Sequence, residues 1–216
     1  MGKNIRVKGN KLVITASTIL VITLMLTTPT IQAFATPTQD QTISNVWQER
    51  AKKALKKSRH AIAHAMDVIV EQAGQGENVT LAKNVLKASI RIYGAAERFF
   101  GEGKYRKAFL AAVLSALVAR DSIRIANEGP DAVNDVFDEV GDKLEEVEEL
   151  IEEMEESGDN LDRILKVFSR AQKLYEKAEG FLGDQKNVRG IVATEMSRIL
   201  AHIAEKLAMR SQPVSE

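Results

Sequence analysis

Residues 133–154 read VNDVFDEVGDKLEEVEELIEEM. The apolar positions Val133, Phe137, Val140, Leu144, Val147, Ile151 and Met154 recur at intervals of 4, 3, 4, 3, 4 and 3. A period of 3.5 suits a helix with a narrow apolar seam and is incompatible with a strand. Nearly every other position of the segment is acidic. Between residues 129 and 160 lie 14 acids against one base, Lys143. Such a helix must be held by its seam, because Glu145/Glu149, Glu148/Glu152, Glu149/Glu153 and Glu152/Glu156 are like-charge i,i+4 pairs.

The same three-to-four spacing runs through the neighbouring segments, and short glycine or proline clusters separate them: Gly74-Gln75-Gly76, Gly101-Glu102-Gly103, Gly129-Pro130 and Gly183-Asp184. Six helices are expected, near residues 45–73, 80–100, 104–127, 131–156, 160–181 and 187–210, with Thr80, Asp131 and Asn160 as N-caps. The third contains AFLAAVLSALVA, residues 108–119, apolar or small all the way round. A helix without a polar face is a buried one, and twelve residues are too few to span a bilayer. The fold class is all-α.

A shift of 82 residues aligns Tyr93 with Tyr175, Ala96 with Ala178, Glu97 with Glu179, Phe99 with Phe181, Gly101 with Gly183 and Lys104 with Lys186. The register continues without a gap through Ala111/Ala193, Ser115/Ser197 and Ala119/Ala201. Amphipathic periodicity can align apolar positions by chance, but not Tyr, Phe, Gly and Lys across a loop. The expectation is a six-helix bundle of two tandem three-helix units, 45–128 and 129–211, with a tail at 212–216. The turn Glu102-Gly103-Lys104-Tyr105-Arg106-Lys107-Ala108 resembles the middle of a tetratricopeptide repeat. The likeness covers only about a dozen residues, since that repeat has a period near 34 and residues 185, 187 and 190 here are Gln, Asn and Gly. No function follows from it.

Upstream, Lys3, Arg6, Lys8 and Lys11 precede the run LVITASTILVITLML at 12–26, and no acid occurs before Asp40. A positive start, an apolar run and the small-x-small triplet Ala33-Phe34-Ala35 form the pattern of a signal peptide over residues 1–35, followed by a linker at 36–44. Left uncleaved, residues 12–35 form a signal anchor that contacts the membrane, with the body outside in either case. The expected location is extracytoplasmic: secreted, or anchored to the outer face of the cytoplasmic membrane. The absence of cysteine excludes disulfides, thiol catalysis and lipoprotein acylation.

The near-neutral total conceals segregation. Residues 41–128 carry 15 bases against 8 acids, and the first helix concentrates Lys52, Lys53, Lys56, Lys57 and Arg59. Those cations are the expected counterpart of the acidic fourth helix. The acid excess and export argue against nucleic acid as a partner; a protein partner or self-association is expected instead.

Candidate chemistry is sparse. His60, His64, Asp67 and Glu71 are spaced 4, 3 and 4, so they line one face of the first helix and are the candidate metal ligands. Their order is not the Glu-x-x-His of ferritin-like bundles or the His-Glu-x-x-His of zinc proteases. His202 and Glu205 make a second i,i+3 pair. Asn78-Val79-Thr80 is a glycosylation sequon, with Asn78 as acceptor. There is no nucleophile elbow or phosphate-binding loop. The expected function is an envelope-associated binding or structural module without catalytic activity or cofactor; the alternative is an extracytoplasmic metal or cation binder.

Overall fold

The computed structural model describes residues 37–156 and 161–211. They form six helices: α1 (Pro37–Gly74), α2 (Thr80–Gly101), α3 (Tyr105–Glu128), α4 (Ala132–Glu156), α5 (Asp162–Gly183) and α6 (Asn187–Ser211). No strand occurs among the described residues. The export segment, Asn160 and the tail lie outside them.

Two local expectations are corrected. α1 reaches back to Pro37, so most of the stretch expected as a linker is helical. Proline is well suited to a first helical position, where its missing N–H would have no partner. Thr80 is not an N-cap. The capping residue is Val79, and the exposed Asn78 Oδ1 accepts the Thr80 N–H at 3.2 Å.

The apolar run of α3 is the centre of the bundle, packed on α1 and α2 and touching α4 and α6. Ala108, Ala111, Ala112, Leu114, Val118 and Ala119 are all buried. No helix among the described residues is long and apolar enough to cross a membrane. α6 packs on α5 and α4, and its middle, Gly190–Ser197, is buried on every side.

The interior repeats at a spacing of 82. Ala51, Ala54, Ser58, Ala65 and Ile69 of α1 are buried, and so are Val133, Val136, Val140, Val147 and Ile151 of α4. Smaller residues on α1 permit closer approach, and α1 packs more extensively on α3 than α4 does on α6. Ser115 Oγ donates to the Ser89 carbonyl at 2.9 Å, and Ser197 Oγ donates to the Ala171 carbonyl at 2.7 Å. Lys104 N–H reaches the Phe99 carbonyl and Lys186 N–H the Phe181 carbonyl. The turns between them pass through left-handed backbone at Gly103 (φ 72°) and Gln185 (φ 57°).

The seam of α4 departs from the sequence pattern at one position: Val133, Val140, Leu144, Val147, Ile151 and Met154 are buried as expected, and Phe137 is not. Val136 is in the core, whereas Phe137 is half-buried and lies flat on Tyr175 of α5, ring centroids 4.1 Å apart. Leu144, Val147, Ile151 and Met154 join Leu161, Ile164 and Phe168 of the α5 side and Ala201, Ala204 and Ala208 of α6 in one core.

Candidate functional site: two buried carboxylates where α3 meets α6

Asp121 follows the apolar run of α3, and Glu195 sits within IVATEMS, residues 191–197, on α6. Both face inward. Glu195 is 0% exposed and Asp121 8%. Asp121 Oδ2 and both oxygens of Glu195 have no hydrogen-bond partner. An unpaired buried carboxylate is expensive in its charged form, so the pair favours protons over charge. Burial raises Asp121 well above the ordinary range, and the charge of Glu195 raises it further. Burial pushes Glu195 up to about 7, against the pull of Arg198 and Arg120.

Arginines stand at the rim. Arg198 Nε lies 3.3 Å from Glu195 Oε1, close enough for attraction but not aligned as a hydrogen bond. The other end of the same guanidinium, Nη2, donates to Glu139 Oε2 of α4 at 3.2 Å. Arg124 of α3 grips the second oxygen of Glu139 and also reaches Glu128 at 3.0 Å and Asp135 at 3.5 Å. Glu139 is thus bridged by arginines from two helices, and the Arg124 hydrogen bond holds its carboxyl below the usual range. Three helices meet on this network.

The arrangement can store a proton. As a catalytic acid–base pair it lacks access, because a substrate atom must come within hydrogen-bond reach of a carboxylate that is fully covered.

The acids of α4 find counterions differently from the sequence expectation. Their described ion pairs come from Arg124, from Arg198 and from Lys143 of α4 itself, which binds Glu146 at 2.7 Å and Glu205 of α6 at 3.0 Å. Lys52, Lys53, Lys56 and Lys57 are exposed on α1, a helix that does not pack extensively against α4. The reason is packing: α3 and α6 lie next to α4 and bring Arg124 and Arg198 within reach of its acids.

The histidine stripe is fully on the surface. His60, His64, Asp67 and Glu71 are all exposed on α1. Among the described residues, no group of three or more His, Asp and Glu is arranged to hold a metal ion. His202 Nδ1 lies 2.9 Å from Glu205 Oε2, while Lys143 occupies the other oxygen. The Lys143 hydrogen bond, more than His202, holds Glu205 below its usual range. Through Lys143, Glu205 is committed to tying α4 to α6. Asn78 is exposed in the α1–α2 loop.

The buried pair was missed in the sequence, although Glu195 carried a signal. It is an acid within a run, residues 191–197, whose other members are all apolar or small and uncharged. Comparison with known families, curated proteins and solved structures found no match.

Proposed function

We propose that the chain is an exported, envelope-associated binding module without catalytic activity, built from two tandem three-helix units. The export reading rests on Lys3 to Lys11, the apolar run at 12–26 and Ala33-Phe34-Ala35. The tandem reading is supported by the Ser115–Ser89 and Ser197–Ala171 hydrogen bonds, which fall at the same positions of the 82-residue register.

One observation carries the binding reading: the interior positions are alike while the exteriors have opposite sign. The exposed face of α1 carries Lys52, Lys53, Lys56, Lys57 and Arg59; that of α4 carries Glu145, Glu146, Glu148, Glu149, Glu152 and Glu153. Like charges at helical spacing are mildly unfavourable, so stability alone gives no reason to concentrate them. Opposite faces of one sign each suit docking of charged partners, with steering as the gain.

The test is affinity capture from envelope material with three baits. These are the native protein, a variant with Lys52, Lys53, Lys56 and Lys57 changed to Gln, and one with Glu145, Glu148, Glu149 and Glu152 changed to Gln. The reading expects a partner that the native bait retains in a salt-sensitive manner and one of the variants loses. An identical set of captured proteins on all three baits would overturn it.

A further inference from the structure

An open recess of about 260 Å³ lies between α1 and α2, lined by Leu55, Lys56, Arg59, Tyr93 and Glu97. Its counterpart, 82 residues on, involves Phe137, Asp138, Gly141, Tyr175 and Glu179. There the space is taken. The Phe137 ring stacks on Tyr175 at 4.1 Å with the planes 8° apart. The Tyr175 hydroxyl lies directly over Gly141, where an added Cβ would sit 2.5 Å from it. In the first unit Leu55 replaces the ring and Arg59 replaces the glycine. Among the described residues the face of Tyr93 has no aromatic neighbour, and Glu97 and Arg59 line the recess beside it.

We propose that this recess binds a small aromatic carboxylate, its ring on Tyr93 and its carboxylate at Arg59 and Lys56. The proposal rests on the tandem reading, because Phe137 is what shows how a ring fits. The volume suits one ring: a cavity of about 150 Å³ accommodates benzene, whereas drug-sized ligands occupy roughly 300–1,000 Å³. Charge selects the substituent. Where the second unit has Asp138, the first has the exposed Lys56, which places a cation at the mouth. Arg59 makes a 3.6 Å ion pair to Glu97, with the two side chains 73% and 50% exposed. A pair so open to water holds weakly, and the guanidinium can turn to grip a carboxylate through two donors. Glu97 is the present partner of that guanidinium, so the ligand's carboxylate must take its place, and a second negative group beside Glu97 is repelled. One stack and one exposed ion pair give weak binding, with Kd on the order of millimolar.

The experiment is a titration of the full chain, its three tyrosines ring-labelled for NMR, with benzoate, cyclohexanecarboxylate and benzyl alcohol. Benzoate should move the Tyr93 ring signals upfield and saturably while Tyr175 stays in place. Cyclohexanecarboxylate should give no upfield shift. Arg59→Gln should weaken benzoate about fivefold or more and leave benzyl alcohol unchanged. The double variant Leu55→Phe, Arg59→Gly recreates the second unit's arrangement, so its own ring should shift Tyr93 upfield and benzoate should no longer bind. If that variant shows the stack but benzoate never moves Tyr93 in the native chain, the site is wrong and the tandem reading stands. If the variant folds without the stack, the tandem equivalence at this position is wrong. Should it not fold, the single Arg59→Gln change decides: equal benzoate affinity in native and variant chains overturns the proposal.

Discussion

Ser197 Oγ donates to the Ala171 carbonyl at 2.7 Å across the α5–α6 crossing. At the corresponding place in α2–α3, Ser115 does the same toward Ser89, but as one member of a buried trio. Ser58 Oγ donates to Ser115 Oγ at 2.8 Å, and Ser89 Oγ donates to the Ser115 carbonyl at 2.8 Å. Ser115→Ala removes a hydroxyl and strands that of Ser58, whereas Ser197→Ala leaves behind only a carbonyl that its own helix can satisfy. The expected losses are roughly 1–3 kcal/mol for Ser115→Ala and about 1 kcal/mol for Ser197→Ala. Urea unfolding of the two variants should give that order; a larger loss at Ser197 would contradict it.

The buried acid pair sets a pH dependence whose sign is fixed. A carboxyl whose folded value lies above its unfolded value gives stability that is complete below the unfolded value and lost as pH rises through the folded one. For Glu195 that window runs from its ordinary 4.5 to about 7. The loss across it is on the order of 3 kcal/mol. Glu139 and Glu205 act oppositely, being held low by Arg124 and Lys143, and their contribution disappears only below the ordinary carboxylate range. Denaturation between pH 4.5 and 7.5 should show falling stability in the native chain. Changing Asp121 to Asn and Glu195 to Gln should flatten the profile. A slope that persists in the double variant would place the titration elsewhere.

Seam and surface of α4 should respond very differently. Leu144 is buried in the shared core, so Leu144→Ala should destabilise by roughly 2–5 kcal/mol. Glu149 is exposed, and Glu149→Gln should stay within about 0.5 kcal/mol. Thermal melts of both variants separate packing from charge.

Arg124 should matter more than any lysine of α1. It faces Glu128, Asp135 and Glu139 at once, with its side chain 30% exposed. Arg124→Gln should cost about 1–2 kcal/mol at low ionic strength and less at high salt. Lys56→Gln should be close to neutral in both. Equal losses for the two variants would show that the acids of α4 are not relieved from α3.

The α5–α6 turn carries a strain that its counterpart avoids. Gln185 holds φ 57° where the other turn has Gly103. A left-handed conformation costs a side-chain-bearing residue roughly 1–2 kcal/mol. Gln185→Gly should therefore raise stability by up to about 1 kcal/mol, measurable as a higher unfolding midpoint in urea.

Helix number, order and class were legible because apolar spacing is a local property and the chain rarely interrupts it. The 82-residue register rests in the sequence on Tyr, Phe, Gly and Lys, whose coincidence is harder to obtain from periodicity alone. Choices between adjacent positions were not legible. Val136 and Phe137 are both apolar and one residue apart, and only the location of Tyr175 decides which turns inward. The start of α1 was missed because Gln39, Asp40 and Gln41 are polar and carry no periodic signal, although Pro37 is a natural first helical residue. Counterion choice was illegible for a different reason. Charge content placed the lysines of α1 as partners for α4, but packing gave that place to Arg124 and Arg198. Asp121 and Glu195 lie 74 positions apart, and their shared burial depends on a helix crossing that no local pattern encodes.

Tyr175 over Gly141 also limits what that position can hold. Any side chain introduced at position 141 meets the tyrosine hydroxyl, and Phe137 lies flat against the ring that would have to move. A change at position 141 alone leaves a collision, whereas shortening Phe137 alone leaves Tyr175 uncovered as Tyr93 is. The counterpart crevice faces no such barrier, since Leu55 and Arg59 can be exchanged one at a time. The two crevices therefore differ in what they tolerate: one accepts substitution at either position, and the other accepts no side chain at 141 while Tyr175 keeps its place.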